Sequence, residues 1–147
     1  MPRYFTREQA QSLLGDLEKQ IRQALFLKNE YEQAEQELRT GAERVMLMGG
    51  MVVDRKRLGE LNTRRDSSAA RLQETLEAIH ATGCQVKDLE IGLLDFPTIY
   101  RGQEVLMCWK LGEPRIEFWH GTNEGFRARK PIDQDFLDHH HDSDEPE

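Results

Sequence analysis

Two long segments without proline, each carrying apolar residues at alternating steps of three and four, set the frame into which this chain must fold. In the first, Ala10, Leu14, Leu17, Ile21, Ala24, Tyr31 and Leu38 recur at that spacing, with Lys28 and Glu35 standing where the seam asks for an apolar side chain. Thr6 and Gln9 ahead of it have capping-box spacing, and Phe5 is placed to staple onto the first turn. The pattern predicts a helix over residues 6–40, ending at Gly41. The second segment starts at Asp54, repeats Leu58, Leu61, Arg65, Ser68, Leu72, Thr75, Leu76 and Ile79, and stops at Gly83, where a left-handed turn is cheapest. It predicts a helix over residues 54–82. Helices with seams this diluted by polar residues are stable when packed rather than alone. The connection, residues 41–53, holds Gly49-Gly50 and the methionines Met46, Met48 and Met51, which permit a reversal. An antiparallel helical hairpin with coiled-coil character follows.

From Cys84 the pattern changes to short runs bounded by turn residues, predicting strands near 86–89, 93–99, 104–110 and 115–120. Arg101-Gly102 and Leu111-Gly112-Glu113-Pro114 read as turns. If both hairpins close tightly, Tyr100 opposes Gln103 and Lys110 opposes Arg115. Side chains alternate across a strand, so one face then carries Leu94, Phe96, Met107, Trp109, Ile116 and Phe118. The other aligns Asp95, Cys108 and Glu117, and His120 falls with Val105 on the apolar side. A slip of one residue inverts these assignments, and Pro97 points to an edge or a bulge. The fold class expected is α+β: a long antiparallel helical hairpin packed on a small antiparallel sheet of three to four strands. Residues 1–132 form a single domain in this reading.

Composition excludes several functions. No run of about 18 apolar residues is present to span a membrane, and the first residues lack a signal-peptide core, so a soluble, cytoplasmic protein is expected. Two cysteines among 147 residues are too few for a disulfide framework and read as free thiols. The formal net charge of −7 is concentrated: residues 131–147 hold seven acids and no Lys or Arg, leaving 20 acids and 20 bases in the remainder. Residues 133–147 are therefore expected to be an acidic, mobile tail. Residues 54–71 carry six bases against three acids, and residues 6–40 carry seven acids against five bases. Complementary faces of two packed helices account for this asymmetry, and nucleic acid is not the expected partner.

The groups able to do chemistry crowd between residues 84 and 120. Asp88, Asp95, Glu113, Glu117 and His120 are the acid/base candidates. Cys108, Glu117 and His120 are the metal-ligand candidates, although no pair of Cys or His stands at the short spacing of a structural zinc site. A hydrogen-bonded structural histidine is the simpler role for His120, and turn capping the simpler role for the carboxylates. Neither a nucleophile elbow nor a phosphate loop occurs, since Gly49-Gly50 is followed by Met51-Val52-Val53. Arg127, Arg129 and Lys130 follow Gly125-Phe126 and could clasp an anion, with balancing of the acidic tail the simpler account. His139, His140 and His141 suit adventitious capture of a divalent metal.

Several strings form a recognisable set: Arg3-Tyr4-Phe5-Thr6 with Leu13-Leu14, Gly83-Cys84 with Val86-Lys87-Asp88-Leu89, Gly92-Leu93-Leu94-Asp95-Phe96-Pro97, Cys108-Trp109 with Leu111-Gly112-Glu113, Phe118-Trp119-His120, and Gly125-Phe126. Over about residues 3–132 the chain resembles the bacterial family known as domain of unknown function 2203. The resemblance implies a small soluble protein and no assigned activity, substrate or cofactor. Gly15 stands where that family's pattern leads one to expect a proline after the paired leucines.

Two function classes fit these residues. The first is a binding or interaction module that self-associates through its helices into a homo-oligomer. The second is a small metal-assisted or acid/base enzyme, using a divalent metal as cofactor, with its site on the sheet and loops between residues 84 and 120.

Overall fold

The computed structural model describes residues 3–47 and 54–142. Helix α1 spans Arg7–Leu47 and helix α2 Arg55–Ala81. The capping box forms as expected: the Thr6 N–H donates to Gln9 Oε1 at 2.9 Å and the Gln9 N–H to Thr6 Oγ1 at 3.1 Å. Asp54 caps α2 by accepting from the Arg57 N–H at 3.0 Å. Each such cap stabilises its helix by about 1 kcal/mol. Gly83, at φ 98°, turns the chain after α2, and a Cβ there would sit 2.9 Å from Arg3 Cβ. Helix α1 runs through Gly41 rather than ending there. One helical glycine costs about 1 kcal/mol, which the helix formers on either side offset. Residues 48–53 of the expected reversal lie outside the described residues. Among the described residues, no helix is long and apolar enough to cross a membrane.

The chain divides into two compact units. In residues 22–76 the two helices run antiparallel, and the basic face of α2 meets acids of α1. Arg64 Nε lies 2.6 Å from Glu30, Arg65 Nη1 3.4 Å from Glu35, and Arg57 pairs with Glu37. The buried apolar seam here is thin: Ala24, Leu27, Ala34 and Leu61. Leu27 and Ala34 take the two places that a strict heptad assigns to Lys28 and Glu35, because a helix of 3.6 residues per turn drifts off a 3.5 repeat.

The other unit joins residues up to Ile21 with residues from Glu77 onward. Its strands are β1 (Gln85–Asp88), β2 (Leu93–Tyr100), β3 (Gln103–Lys110), β4 (Phe118–Gly121), β5 (Lys130–Pro131) and β6 (His140–His141). They form one antiparallel sheet of order β1-β2-β3-β4-β5, with β6 also paired to β2. The sheet thus has six strands where three to four were expected. The β2–β3 hairpin closes tightly, Tyr100 opposite Gln103, through Arg101 and Gly102 at φ 51° and 81°. Two positive φ values in a two-residue loop match the twist of the flanking strands. Pro97 sits inside β2, and its carbonyl accepts from the Phe5 N–H at 2.8 Å. A residue's N and O point to the same side of a strand, so the missing N–H faces Phe5 and costs the β2–β3 ladder nothing. Phe5 itself packs edge-on against Phe96, with ring centroids 5.6 Å apart.

The second hairpin departs from expectation by one residue. Cys108 opposes Phe118, not Glu117, and Leu106 opposes His120. Residues 115–117 are not in a strand, because α1 side chains take the backbone of Ile116. Gln11 Oε1 accepts from its N–H at 2.9 Å and Arg7 Nε donates to its carbonyl at 3.0 Å.

Residues 133–142, expected as a mobile acidic tail, fold onto the sheet. Asp133 caps the short helix α3 (Gln134–His139), and β6 follows, pairing with Ile99 and Tyr100. Phe136 is fully buried, packed on Tyr100, Trp119 and His140. Burying such a side chain contributes roughly 1.5–3 kcal/mol, which a mobile acidic segment would forgo. Residues 143–147 lie outside the described residues.

Candidate functional site

The slip in register decides which side chains meet. Asp95 and Cys108 are direct cross-strand partners on β2 and β3. Because β4 is shifted by one, His120 leaves the side of Val105 and joins the face that carries Asp95 and Cys108. Asp95, Cys108 and His120 are 1%, 0% and 3% exposed. One donor atom from each, a carboxylate oxygen, Sγ and a ring nitrogen, lie within 4.8 Å of one another. Three adjacent strands thus each supply one polar side chain to a closed cluster.

The histidine's tautomer follows from its neighbours. Nδ1 lies 2.8 Å from the Gly121 carbonyl oxygen, which can only accept, so Nδ1 carries a proton. Nε2 then faces both Asp95 oxygens at 3.1 Å. Either a proton or a cation must lie between that nitrogen and the carboxylate, since two lone pairs repel. Burial, with the nearby Asp95 charge, pushes the Cys108 thiol up to about 12, while Arg129 pulls it the other way. Arg129 Nη1 stands 4.0 Å from Cys108 Sγ and 3.0 Å from Glu113 Oε1. Its guanidinium is held between the Phe118 and Phe126 rings, 4.2 Å from each centroid. Such stacking suits the planar, weakly hydrated arginine head group.

The remaining candidates disperse. Glu117 is exposed beside Arg115, and its contribution to the sheet is a carbonyl that accepts from Ile132. Asp88 accepts from the Glu90 N–H in a turn, the capping role expected of it. Glu113 accepts from the Lys110 N–H at 2.7 Å and holds Arg129. Among the described residues, Arg129 pairs with Glu113 and Lys130 with Glu124, and Arg101 is bound to the tail acid Asp135. Of the histidine run, His140 has both nitrogens engaged. Nε2 accepts from the Arg7 N–H at 2.9 Å, so Nδ1 donates to the Phe136 and Leu137 carbonyls, both at 3.0 Å. His139 pairs with Asp135. Cys84, also buried, lies outside the cluster; desolvation raises its thiol well above the ordinary range, with Asp95 adding to the effect.

The sequence singled out Arg129 as a base but not its place beside Cys108, and a usable signal for that place existed. An arginine three positions after a phenylalanine, following a strand with another phenylalanine, has two rings within reach. The family model described as "Uncharacterized conserved protein (DUF2203)" matches residues 3–132. No curated protein and no solved structure matches the chain.

Proposed function

We propose that this chain, which belongs to the DUF2203 family of uncharacterized conserved proteins, is a divalent-metal-binding protein whose centre is Asp95, Cys108 and His120. The observation that carries the reading is the buried convergence of oxygen, sulfur and nitrogen donors from three strands. A thiolate and an imidazole exclude hard cations such as calcium and magnesium and suit zinc or its neighbours in the first transition row. Zinc–donor bonds of about 2.0–2.3 Å place tetrahedral donors roughly 3.3–3.8 Å apart, so small side-chain adjustments close the cluster on an ion. The Gly121 carbonyl accepts from the other ring nitrogen, the supporting bond that ligating histidines almost always make. In this position the metal replaces the proton between His120 and Asp95 and ties β2, β3 and β4 together.

A nucleophilic triad fits less well. Such a triad needs the imidazole between thiol and carboxylate, one nitrogen for each, and here Gly121 takes the second nitrogen. The raised Cys108 thiol also opposes a free thiolate at neutral pH. Metal-assisted catalysis is the second reading, favoured by the donor count: three protein ligands leave a tetrahedral position open. Burial of all three ligands favours a structural ion. Self-association through the helices has Phe26 as its support, a large apolar side chain exposed on α1. Nucleic acid is not the proposed partner, since Arg57, Arg64 and Arg65 are paired with α1 carboxylates.

The test is elemental analysis of untagged protein after incubation with zinc, together with cobalt titration. One ion per chain is expected, with a thiolate-to-cobalt charge-transfer band. Both should disappear in Cys108→Ser and in His120→Ala, and both should survive replacement of His139, His140 and His141 by glutamine. Absence of stoichiometric metal, or its retention by Cys108→Ser and His120→Ala combined, overturns the reading.

A further inference from the structure

Residues 133–142 are held mainly at one seat on the sheet, with two further bonds to the start of α1: the Arg7 N–H donates to His140 Nε2 at 2.9 Å and Gln9 Nε2 donates to Asp142 Oδ2 at 2.7 Å. The sole fully buried side chain of the segment is Phe136, set against Tyr100 and Trp119. Asp135 binds both Tyr100 Oη and Arg101. The Arg101 N–H donates to the His139 carbonyl at 3.2 Å, and Thr98 Oγ1 donates to the His141 carbonyl at 3.1 Å. β6 completes the seat by adding a strand to the β2 edge at Ile99 and Tyr100. Strand addition beside an aromatic pocket is how sheets capture extended peptides. The connection to the body is a single extended step: Ile132 is bonded to the Glu117 carbonyl, and Asp133, at φ −104° and ψ −177°, already caps α3.

A segment with one apolar anchor and mostly exposed polar ties belongs to the part of a fold that opens before the rest. When it opens, the seat presents ring faces and unpaired strand groups of a shape and charge that match that same segment. We propose that residues 133–142 are an exchangeable latch and that the seat of Thr98–Arg101 with Trp119 takes the latch of a second copy, giving a reciprocal two-fold dimer. The exchange makes every bond twice and needs no new surface. This inference does not depend on the metal centre, which lies on the opposite face of β2.

The Arg101–Asp135 pair permits a direct test in the full-length chain, because both side chains are about half exposed and tolerate replacement. Asp135→Arg in one chain and Arg101→Asp in another place like charges together within each molecule. Each variant also repels its own copies. Mixed, the two variants set opposite charges together at both exchanged seats and at neither internal one. Light scattering after size exclusion should show each variant alone at the monomer mass and the equimolar mixture at twice that mass. A mixture that stays at the monomer mass overturns the proposal, as does dimerisation of either variant alone.

Discussion

At the scale of single residues, one backbone carbonyl decides the chemistry of the centre. Gly121 O fixes the proton on His120 Nδ1 and so leaves Nε2 as the reactive atom toward Asp95. Cys84 offers a cleaner view of what burial does to a thiol, because it stands outside the cluster. Its thiol is raised by desolvation first and by Asp95 second. An unfolded chain releases this proton above about pH 8.5 while the native chain keeps it. The unfolded state then binds fewer protons, so stability falls as pH rises beyond that value, by up to about 1.4 kcal/mol per pH unit. Urea midpoints at pH 7 and pH 10 should therefore drop more in the native sequence than in Cys84→Ala. Equal drops would show that Cys84 ionises alike in both states. In the same vein, iodoacetamide at pH 8 should leave Cys84 unmodified until the protein unfolds. Composition identified Cys84 and Cys108 as free thiols, and both are buried. That one of them meets Asp95 was legible from the tight Arg101-Gly102 turn, which sets the β2–β3 register by itself.

At the scale of elements, most local signals were read well, the stop expected at Gly41 excepted, and distant ones were not. Thr6–Gln9, Asp54 and Gly83 bound the helices because caps and stops act within four residues. The β2–β3 hairpin followed from its two-residue loop. The β3–β4 register could not be read, since it depends on Gln11 and Arg7 reaching across more than a hundred residues to occupy Ile116. That single displacement exchanges Glu117 for His120 at the centre. The strand role of residues 140–141 was hidden for a similar reason: two histidines after an acidic run carry no strand propensity, and β2 supplies the partner. Gly92, by contrast, is a turn position whose requirement is strict. At φ 65°, a Cβ would come within 2.5 Å of Leu111 Cβ. Gly92→Ala should lower stability by roughly 1–3 kcal/mol through backbone strain and that overlap. Chemical denaturation measures it, and a loss below about 0.5 kcal/mol would mean that the turn relaxes.

At the scale of the whole molecule, the two units are held by different forces. Residues 22–76 bury four apolar side chains among those described and lean on Arg–Glu pairs between helices, whereas strands β2 and β3 are buried over most of their length. Exposed and half-exposed pairs are screened by salt, and apolar burial is not. Raising sodium chloride from 0.05 to about 1 M, where the Debye length shrinks to roughly 3 Å, should speed amide exchange in residues 22–76 and leave β2 and β3 unchanged. Hydrogen exchange with mass spectrometry resolves the two, and a uniform response would remove the distinction. The α+β class and the helical hairpin were legible in sequence because periodicity survives any register, while the fold of residues 133–142 was not, because it rests on one buried phenylalanine in an acidic run. The outer edge of β2 has its own history. It is closed by three pieces far apart in the chain: β1 at one end, Phe5 at Pro97, and β6 at the other end. On a translating ribosome the first two can be in place while the third is still unmade. The bare backbone of Ile99 and Arg101 is thus the last adhesive edge to be covered, and the interval before residue 141 emerges is when nascent chains of this protein are most prone to stick to one another.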